Sequence, residues 1–410
     1  MSATVDALAI LRERGFVEQI SDEAALAARL NQGAVVFYAG FDPTASSLHV
    51  GHYIPLLAMA HLARAGHQGI AVLGGGTAMV GDPSGKTEMR QLITPEVIAA
   101  NRTNIEPQVR RIIGASARVV DNGDWILPLN YISFLRDIGR HFSVNRMLSA
   151  EAYKIRLEKG LSFIEFNYQL LQAYDFLALN ERFNCVLQIG GDDQWGNIVA
   201  GIDLIRRVRQ QESFGLTFPL LTTASGAKMG KTAAGAVWLD PGLTSPYDFF
   251  QYFVNVDDRD VVRFLKLLTF EPLEEIRRFE TTAGADLREA KRLLAHAVTT
   301  IVHGRGLADE VQGAARAAFG GGATGDESAL PTVNVDQARL LSGLKIVDLI
   351  AESGLAPSKS AARRLIEQGG VRVGERKITS VDDVLTEADV ADGASLLHVG
   401  KKHVRRLVRG

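Results

Sequence analysis

A single cysteine, Cys185, stands in a chain of 410 residues. It has no partner for an intrachain disulfide and cannot build a cysteine zinc cluster. A reducing, cytoplasmic setting fits that scarcity. No apolar run is long enough to cross a bilayer, so no membrane association is expected. The opening MSATVDALAILRERG has Asp6 early and no basic stretch ahead of an apolar core, so no secretory leader is expected. An excess of one charge is also lacking: 45 Lys and Arg meet 47 Asp and Glu, for a formal net charge of -2. That excludes a protein coated with nucleic acid along its whole length, but not one with a local basic patch.

What remains is the composition of an ordinary globular protein, 46% hydrophobic and 22% charged. The length exceeds one compact core and predicts two or three domains. Through the first half, short apolar runs alternate with helical patterns. GAVVFYAGF, GIAVLGG, CVLQIGG and FPLLTT read as buried strands, and HYIPLLAMAHLARAG reads as a helix between two of them. Strands separated by helices predict an α/β, Rossmann-like parallel sheet with helices on both faces. Ligands bind such sheets beyond the carboxyl ends of the strands.

From Thr244 to Phe319 the pattern turns helical, as in VVRFLKLLTF and DLREAKRLLAHAVTTIVHG. GGGATGDESALPT has no periodicity and reads as a flexible linker. Helical runs and short strands with Gly turns follow, a small α+β unit. Lys345–Gly410 holds 12 Lys and Arg against 9 Asp and Glu, with the cations clustered in SKSAARRLIEQGGVRV and KKHVRRLVR. The expected division is residues 1–235 α/β, 236–319 helical, 320–334 linker and 335–410 α+β.

Two stretches depart from plain core or plain loop. In FYAGFDPTASSLHVGHYI a strand runs into a turn set by Pro43, and LHVGH starts a helix. A helix N-terminus offers free N–H groups and positive dipole to a phosphate. His49 and His52 share one face, and Gly51 lets a flat group approach the backbone. Alone, this also reads as a capped turn with two surface histidines. In SGAKMGKT, Lys228 and Lys231 are three apart on a Gly-punctuated loop that can close on a polyphosphate; alone, it reads as a solvated loop. GDPSGKT is not a Walker loop, because Val80 stands where its first glycine belongs. GGGTAMVG fails the dinucleotide fingerprint at Met79.

In this order and on this βα pattern, HVGH and KMGKT resemble the paired signatures of the class I aminoacyl-tRNA synthetases. YAGFDPTASSLHVGH, GDPSGKTEMR, FNYQLLQAYDF and LQIGGDDQWGN resemble, again in order, the motifs of the bacterial-type tyrosyl-tRNA synthetases. With the C-terminal unit, the likeness covers nearly the whole chain. It implies a tyrosine–tRNA ligase. Tyrosine's carboxylate attacks the α-phosphorus of ATP, pyrophosphate leaves, and the tyrosyl group passes to the 3′-terminal adenosine of tRNA(Tyr). Catalysis is then positioning and charge stabilisation, with no protein nucleophile.

The resemblance assigns roles residue by residue. Tyr38 and Asp175 receive the substrate hydroxyl. An Asp inside a run as apolar as YDFLAL is costly unless paired, which weakens its reading as a surface carboxylate. Asp82, Tyr168 and Gln172 hold the ammonium, the last two on one helix face, and Gln188 and Gln194 lie around the substrate. Gly40, Asp42, Gly51, Gly191 and Asp193 bind ATP, with Asp193 on the ribose. Thr44 and His49 contact the γ-phosphate, and His52 lies beside the nucleotide. Lys228, Lys231 and Thr232 close over the pyrophosphate, with Lys86 and Arg90 also in reach. Magnesium accompanies ATP, and no residue set looks like a fixed metal site.

SKSAARRLIEQGGVRVGERKI resembles the S-four-like RNA-binding domain, which implies that Lys359, Arg363, Arg364 and Arg372 track a phosphate backbone. The family is homodimeric, which implies an interface in the insertion near 126–166, and its helical domain lies on the anticodon side. Two positions depart from the family pattern. Ala39 replaces a small polar residue near the ribose. Asp192, often serine, either repels ATP or faces outward. The rivals are a tryptophanyl relative, disfavoured by Tyr38 with Asp175, and a non-catalytic RNA-binding protein, disfavoured by two intact signatures.

Overall fold

The computed structural model describes residues 6–84, 93–114, 117–158, 160–232, 235–281, 284–319, 329–391, 393–400 and 403–410. The chain divides into two compact units. The first runs to Met229 and takes in Arg263–Ile276; the second is Gly230–Val262 with Arg277–Gly410. Residues 263–276, expected in the helical domain, therefore pack with the first unit. Among the described residues no helix is long and apolar enough to cross a membrane.

The first unit is built on six strands: β1 (Gln19–Ile20), β2 (Val36–Phe41), β3 (Gln68–Leu73), β4 (Arg118–Asp121), β5 (Cys185–Gly191) and β6 (Phe214–Phe218). Their order is β1-β6-β5-β2-β3-β4. All neighbours are parallel except β1, which runs antiparallel to β6. Strands β2, β3 and β4 step outward on one side, and β5 returns to the other side of β2. The strand order thus reverses between β2 and β5, where two connections part and leave a crevice. The strand expected at FPLLTT is instead Phe214–Phe218. Pro219 has no N–H for the ladder, so the pairing stops before it.

Helices α1 (Ala7–Arg14), α2 (Glu23–Asn31), α3 (Tyr53–Arg64), α4 (Pro95–Ile113), α5 (Gly123–Ile126), α6 (Tyr131–Asp137), α7 (Val144–Leu148), α8 (Glu151–Leu157), α9 (Phe163–Phe183) and α10 (Trp195–Arg209) complete most of this unit. Phe37 and Tyr38, successive residues on opposite faces of β2, are both buried, as a parallel strand covered on both faces requires. Helix α9 begins with a capping box, Ser162 with Glu165. Behind that box Arg156 grips Glu165 with two bonds of 3.1 Å and donates to the Gly160 carbonyl at 3.2 Å. The two side chains are only 4% and 3% exposed. This buried pair fixes where α9 starts, and hence the register of every side chain α9 sends to the crevice.

In the second unit β7 (Lys231–Thr232) and β8 (Gly235–Ala236) form a hairpin, followed by α11 (Pro246–Val254). Helix α12 (Val261–Leu268) leads into the first unit and α13 (Leu273–Arg277) leads out of it. Helices α14 (Ala285–His303) and α15 (Arg305–Phe319) follow. Next come β9 (Thr332–Val335), α16 (Gln337–Leu341), α17 (Ile346–Glu352), α18 (Lys359–Glu367), β10 (Val371–Val373), β11 (Arg376–Ile378), β12 (Ala394–Val399) and β13 (His403–Arg409). The sheet order is β11-β10-β12-β13-β9, around a core that includes Ile350, Ala362, Ile366 and Leu397. Residues 332–334, expected as linker, are strand because β9 pairs in parallel with β13. Arg405 of β13 forks onto Asp248 of α11 with two bonds of 3.0 Å.

Removing one partner of a buried ion pair strands the other charge. Glu165→Gln is therefore expected to lower stability by about 3 kcal/mol, read as a fall in the urea midpoint at unchanged slope.

Candidate active site

The crevice lies beyond the carboxyl ends of β2, β3 and β5. Tyr38 and Gln188 are paired neighbours on β2 and β5. Both are buried, and among the described residues neither Tyr38 Oη nor Gln188 Oε1 has a hydrogen-bond partner. Asp175 projects from α9 and is 4% exposed. Trp125 Nε1 donates to one of its oxygens at 2.7 Å and Asn122 Nδ2 to the other at 2.9 Å. Burial pushes the Asp175 carboxyl up to about 7 against the pull of those two donors. Burial, followed by the Asp175 charge, pushes the Tyr38 phenol up as well.

A polar chain runs from Asp175 across the crevice. Asn122 Nδ2 also donates to Thr77 Oγ1 at 2.9 Å, and Thr77 Oγ1 donates to Asp42 Oδ1 at 3.1 Å. Tyr168 Oη donates to Asp42 Oδ2 at 3.3 Å. Gly74 is needed here: a Cβ would stand 2.2 Å from Asp42 Oδ1. On the opposite wall Gln194 Nε2 donates to Asp82 Oδ2 at 2.6 Å, while Asp82 Oδ1 caps the Ser84 N–H. Asn197 Nδ2 donates to Gln172 Oε1 at 3.0 Å. Hydrogen bonds thus join Tyr168 to Asp42, and join Asp82, Gln194 and Gln172 through Asn197.

HVGH forms a short 3-10 turn, Val50–His52, that feeds α3. His49 Nδ1 accepts the Gly51 N–H at 2.9 Å, and His52 Nδ1 accepts the His49 N–H at 3.2 Å. In the neutral tautomers both rings therefore carry their proton on Nε2, as donors. Gly51 is required here, because a Cβ would stand 2.6 Å from the His49 ring. Thr44 is exposed on the turn after β2, and Gly40 has open space where a Cβ would be.

Gly191 ends β5, where a Cβ would stand 2.6 Å from Asp193 Oδ1. Removal from bulk water and the Asp82 charge raise the Asp193 carboxyl, while Lys228 draws it down. Asp192 faces away: its Oδ1 accepts from Gln19 Nε2 at 2.6 Å and from Thr217 Oγ1 at 3.1 Å. Lys231 and Thr232 belong to the second unit, in β7. Lys86 and Arg90 lie outside the described residues.

Comparison with known proteins bears on this constellation. The family described as tRNA synthetases class I (W and Y) matches residues 30–320, and the S4 domain matches 344–390. A tyrosine–tRNA ligase of Clostridium botulinum (strain 657 / Type Ba4) is 52% identical over 97% of this chain and 98% of its own length. One from Treponema denticola is 50% identical over 98% and 99%. The chain belongs to the tyrosine–tRNA ligase family. Among solved structures, a C-terminally truncated Coccidioides posadasii mitochondrial tyrosyl-tRNA synthetase is similar at TM-score 0.66 and 33% identity, covering 76% of this chain and 92% of that one. A tryptophanyl-tRNA synthetase of Encephalitozoon cuniculi, at TM-score 0.56 and 13% identity, shares the fold alone.

Sequence reading passed over Thr77, Asn122, Trp125 and Asn197. The signal was present: DNGDW begins on the last residue of β4, at the strand end where ligand groups gather, yet it matches none of the quoted signatures. In the S4 region Arg363 and Arg364 are exposed on α18. Lys359 pairs with Asp348 at 2.9 Å. Arg372 is held 3.2 Å from His398 Nε2 across the β10–β12 pair. Burial lowers His398 to about 4, so its ring is neutral at physiological pH.

The Asp175 shift has a testable sign. Its folded value of about 7 lies above the free carboxyl value, so the folded state holds the proton more tightly than the unfolded chain. The stability linked to that proton is full below the unfolded value and is lost as pH rises through about 7. The advantage of the parent over Asp175→Asn in urea midpoint is expected to shrink from pH 5 to pH 8.

Proposed function

We propose that the crevice binds tyrosine with its phenol toward Tyr38 and Asp175 and its ammonium toward Asp82, Tyr168 and Gln172, with Gln188 and Gln194 around it. The observation that carries this reading is the buried Tyr38 hydroxyl, without a partner among the described residues and near enough to buried Asp175 to feel its charge. A substrate hydroxyl completes the site beside Asp175; phenylalanine leaves the buried Tyr38 hydroxyl unmatched.

ATP is proposed to lie across the ends of β2 and β5, toward Gly40, Asp42 and Gly51, with its base against Gly191 and its ribose on Asp193. Thr44 and His49 meet the γ-phosphate, and His52 lies beside the nucleotide. Lys228, Lys231, Thr232, Lys86 and Arg90 neutralise the leaving pyrophosphate. Tyrosine's carboxylate oxygen bonds to the α-phosphorus as the bond to the β-phosphate oxygen breaks. A hydroxyl of the terminal adenosine of tRNA(Tyr) then attacks the acyl carbon and AMP leaves. The two histidine Nε2–H donors supply hydrogen bonds where charge develops. Magnesium arrives with ATP as its counter-ion; among the described residues no group of three His, Cys, Asp or Glu is placed to hold one.

Residues 236–319 are proposed to lie on the anticodon side, and the S4 region to hold tRNA phosphates through Lys359, Arg363, Arg364 and Arg372. A cytoplasmic location goes with that activity. A homodimer is proposed through the insertion near 126–166, where Ile132 and Phe163 are each 69% exposed and Tyr131 is 55% exposed. An apolar surface of this kind calls for a partner.

ATP–pyrophosphate exchange tests the chemistry. Tyrosine is expected to support it, and phenylalanine and tryptophan are not. Tyr38→Phe should lose about tenfold in kcat/KM for tyrosine, and Asp175→Ala should lose the preference over phenylalanine. Exchange driven by tryptophan, or by no amino acid, would sink the reading. For the assembly, sedimentation velocity should show a dimer for the parent and a monomer for Ile132→Asp with Phe163→Asp.

A further inference from the structure

The chain leaves the first unit at Met229, returns for Arg263–Ile276, and leaves again. That return is keyed on both sides. Arg14, at the last turn of α1, is 8% exposed. Its Nη1 donates to the carbonyls of Lys266 at 3.1 Å and Thr269 at 2.9 Å, and its Nη2 to that of Glu271 at 2.7 Å. These are the carbonyls at and just beyond the C-terminal end of α12, which lack intrahelical partners and form the negative end of its dipole. The turn is stiffened by Thr269 itself, whose Oγ1 donates to the Leu265 carbonyl at 2.6 Å and accepts the Glu271 N–H at 3.2 Å. Phe270 inserts between two residues of α3: the Arg64 guanidinium lies 3.5 Å over its ring, and the His61 ring is 4.9 Å away, edge on. Helix α3 is the helix that HVGH starts.

At the other end of the segment, the Arg263 guanidinium donates to the Thr222 carbonyl. Thr222 pairs with Lys228 in an antiparallel bridge. Around it Thr223 N–H donates to Ala227 at 2.8 Å and Met229 N–H donates to Leu221 at 2.8 Å. Thr222 to Met229 is thus a tight hairpin, and Arg263 holds its base. One short segment therefore touches both the helix behind the signature histidines and the hairpin that presents Lys228.

We propose that Arg14 and Arg263 are positioning residues, which act through the Arg263–Ile276 segment to fix the Lys228 hairpin relative to the histidine turn. The proposal rests on the tyrosine-activation reading for its effect on rate, but the clamp itself is geometric. Arg14 sets the seat of the segment and Arg263 transmits it to the loop. Neither reaches substrate. If Lys228 acts on charge that develops as pyrophosphate leaves, loosening the clamp lowers kcat and spares tyrosine binding, which is made on β2, α9 and the β5 end.

The experiment uses the full chain with Arg263→Ala, Arg263→Lys and Arg14→Lys. Arg263 is exposed, so its alanine variant is expected to fold as the parent does. The kcat of tyrosine-dependent pyrophosphate exchange should fall about tenfold in Arg263→Ala and Arg14→Lys, with the tyrosine Kd by equilibrium dialysis within twofold of the parent. Arg263→Lys, which keeps a donor, should recover most of the rate. Hydrogen exchange at the Thr223 and Met229 amides should quicken in both damaged variants. Unchanged amide exchange in Arg263→Ala overturns the clamp, whatever the activity. Quickened amides in a chain whose parent shows no tyrosine-dependent exchange would uphold the clamp and refute the substrate reading. A parallel loss of tyrosine affinity would make the residues merely structural and overturn the positioning role.

Discussion

A carboxylate without water is the constraint around which the catalytic unit is arranged. Asp175 lies within an apolar stretch of α9, where an unpaired charge is too costly to keep. Trp125 and Asn122 each donate to one of its oxygens, and Asn122 extends the bonding through Thr77 to Asp42 and Tyr168. Every member has a fixed partner, so the network holds its shape before any ligand arrives. What it leaves open is specific: the Tyr38 hydroxyl, buried and unmatched among the described residues. Such a site selects by what it cannot satisfy alone.

The sheet supplies the place for that network. The strand order reverses between β2 and β5, the point where sheets of this kind open a crevice beyond their strand ends. Helix α9 delivers Tyr168, Gln172 and Asp175 from above, and its start is pinned by the buried Arg156–Glu165 pair. Helix α3 brings the histidines, and its other turns seat Phe270. The buried Arg14 closes the arrangement by satisfying the carbonyl end of α12. Two buried arginines, Arg156 and Arg14, thus hold the start of α9 and the end of α12.

Much of this was readable along the chain. Alternation of apolar runs and helical patterns gave the parallel sheet, and Pro219 alone explains why one strand ends earlier than its apolar run. An aspartate inside YDFLAL demanded a partner. The partners themselves were not readable, because Asn122 and Trp125 stand some fifty positions away and meet Asp175 only when β4 is laid beside β3. The surroundings of Gly51 and the choice between two orientations of Asp192 were unreadable for the same reason. The glycine is kept small by the neighbouring His49 ring, and the acid is turned outward by Gln19, whose edge strand pairs with β6.

The sequence by itself determined which chemistry is available: two histidines at a helix start, lysines on a Gly-punctuated loop, acids and amides at strand ends, and cations on a C-terminal helix. Those follow from local residue type and spacing, since helix and strand periods decide which side chains share a face. Only the tertiary structure decided which of them meet, which way Asp192 turns, and that residues 263–276 pack with the first unit. These outcomes depend on burial, and burial is a property of the whole packed chain: whether a polar group must find a partner, and which one, is settled only when the elements that exclude water from it are in place.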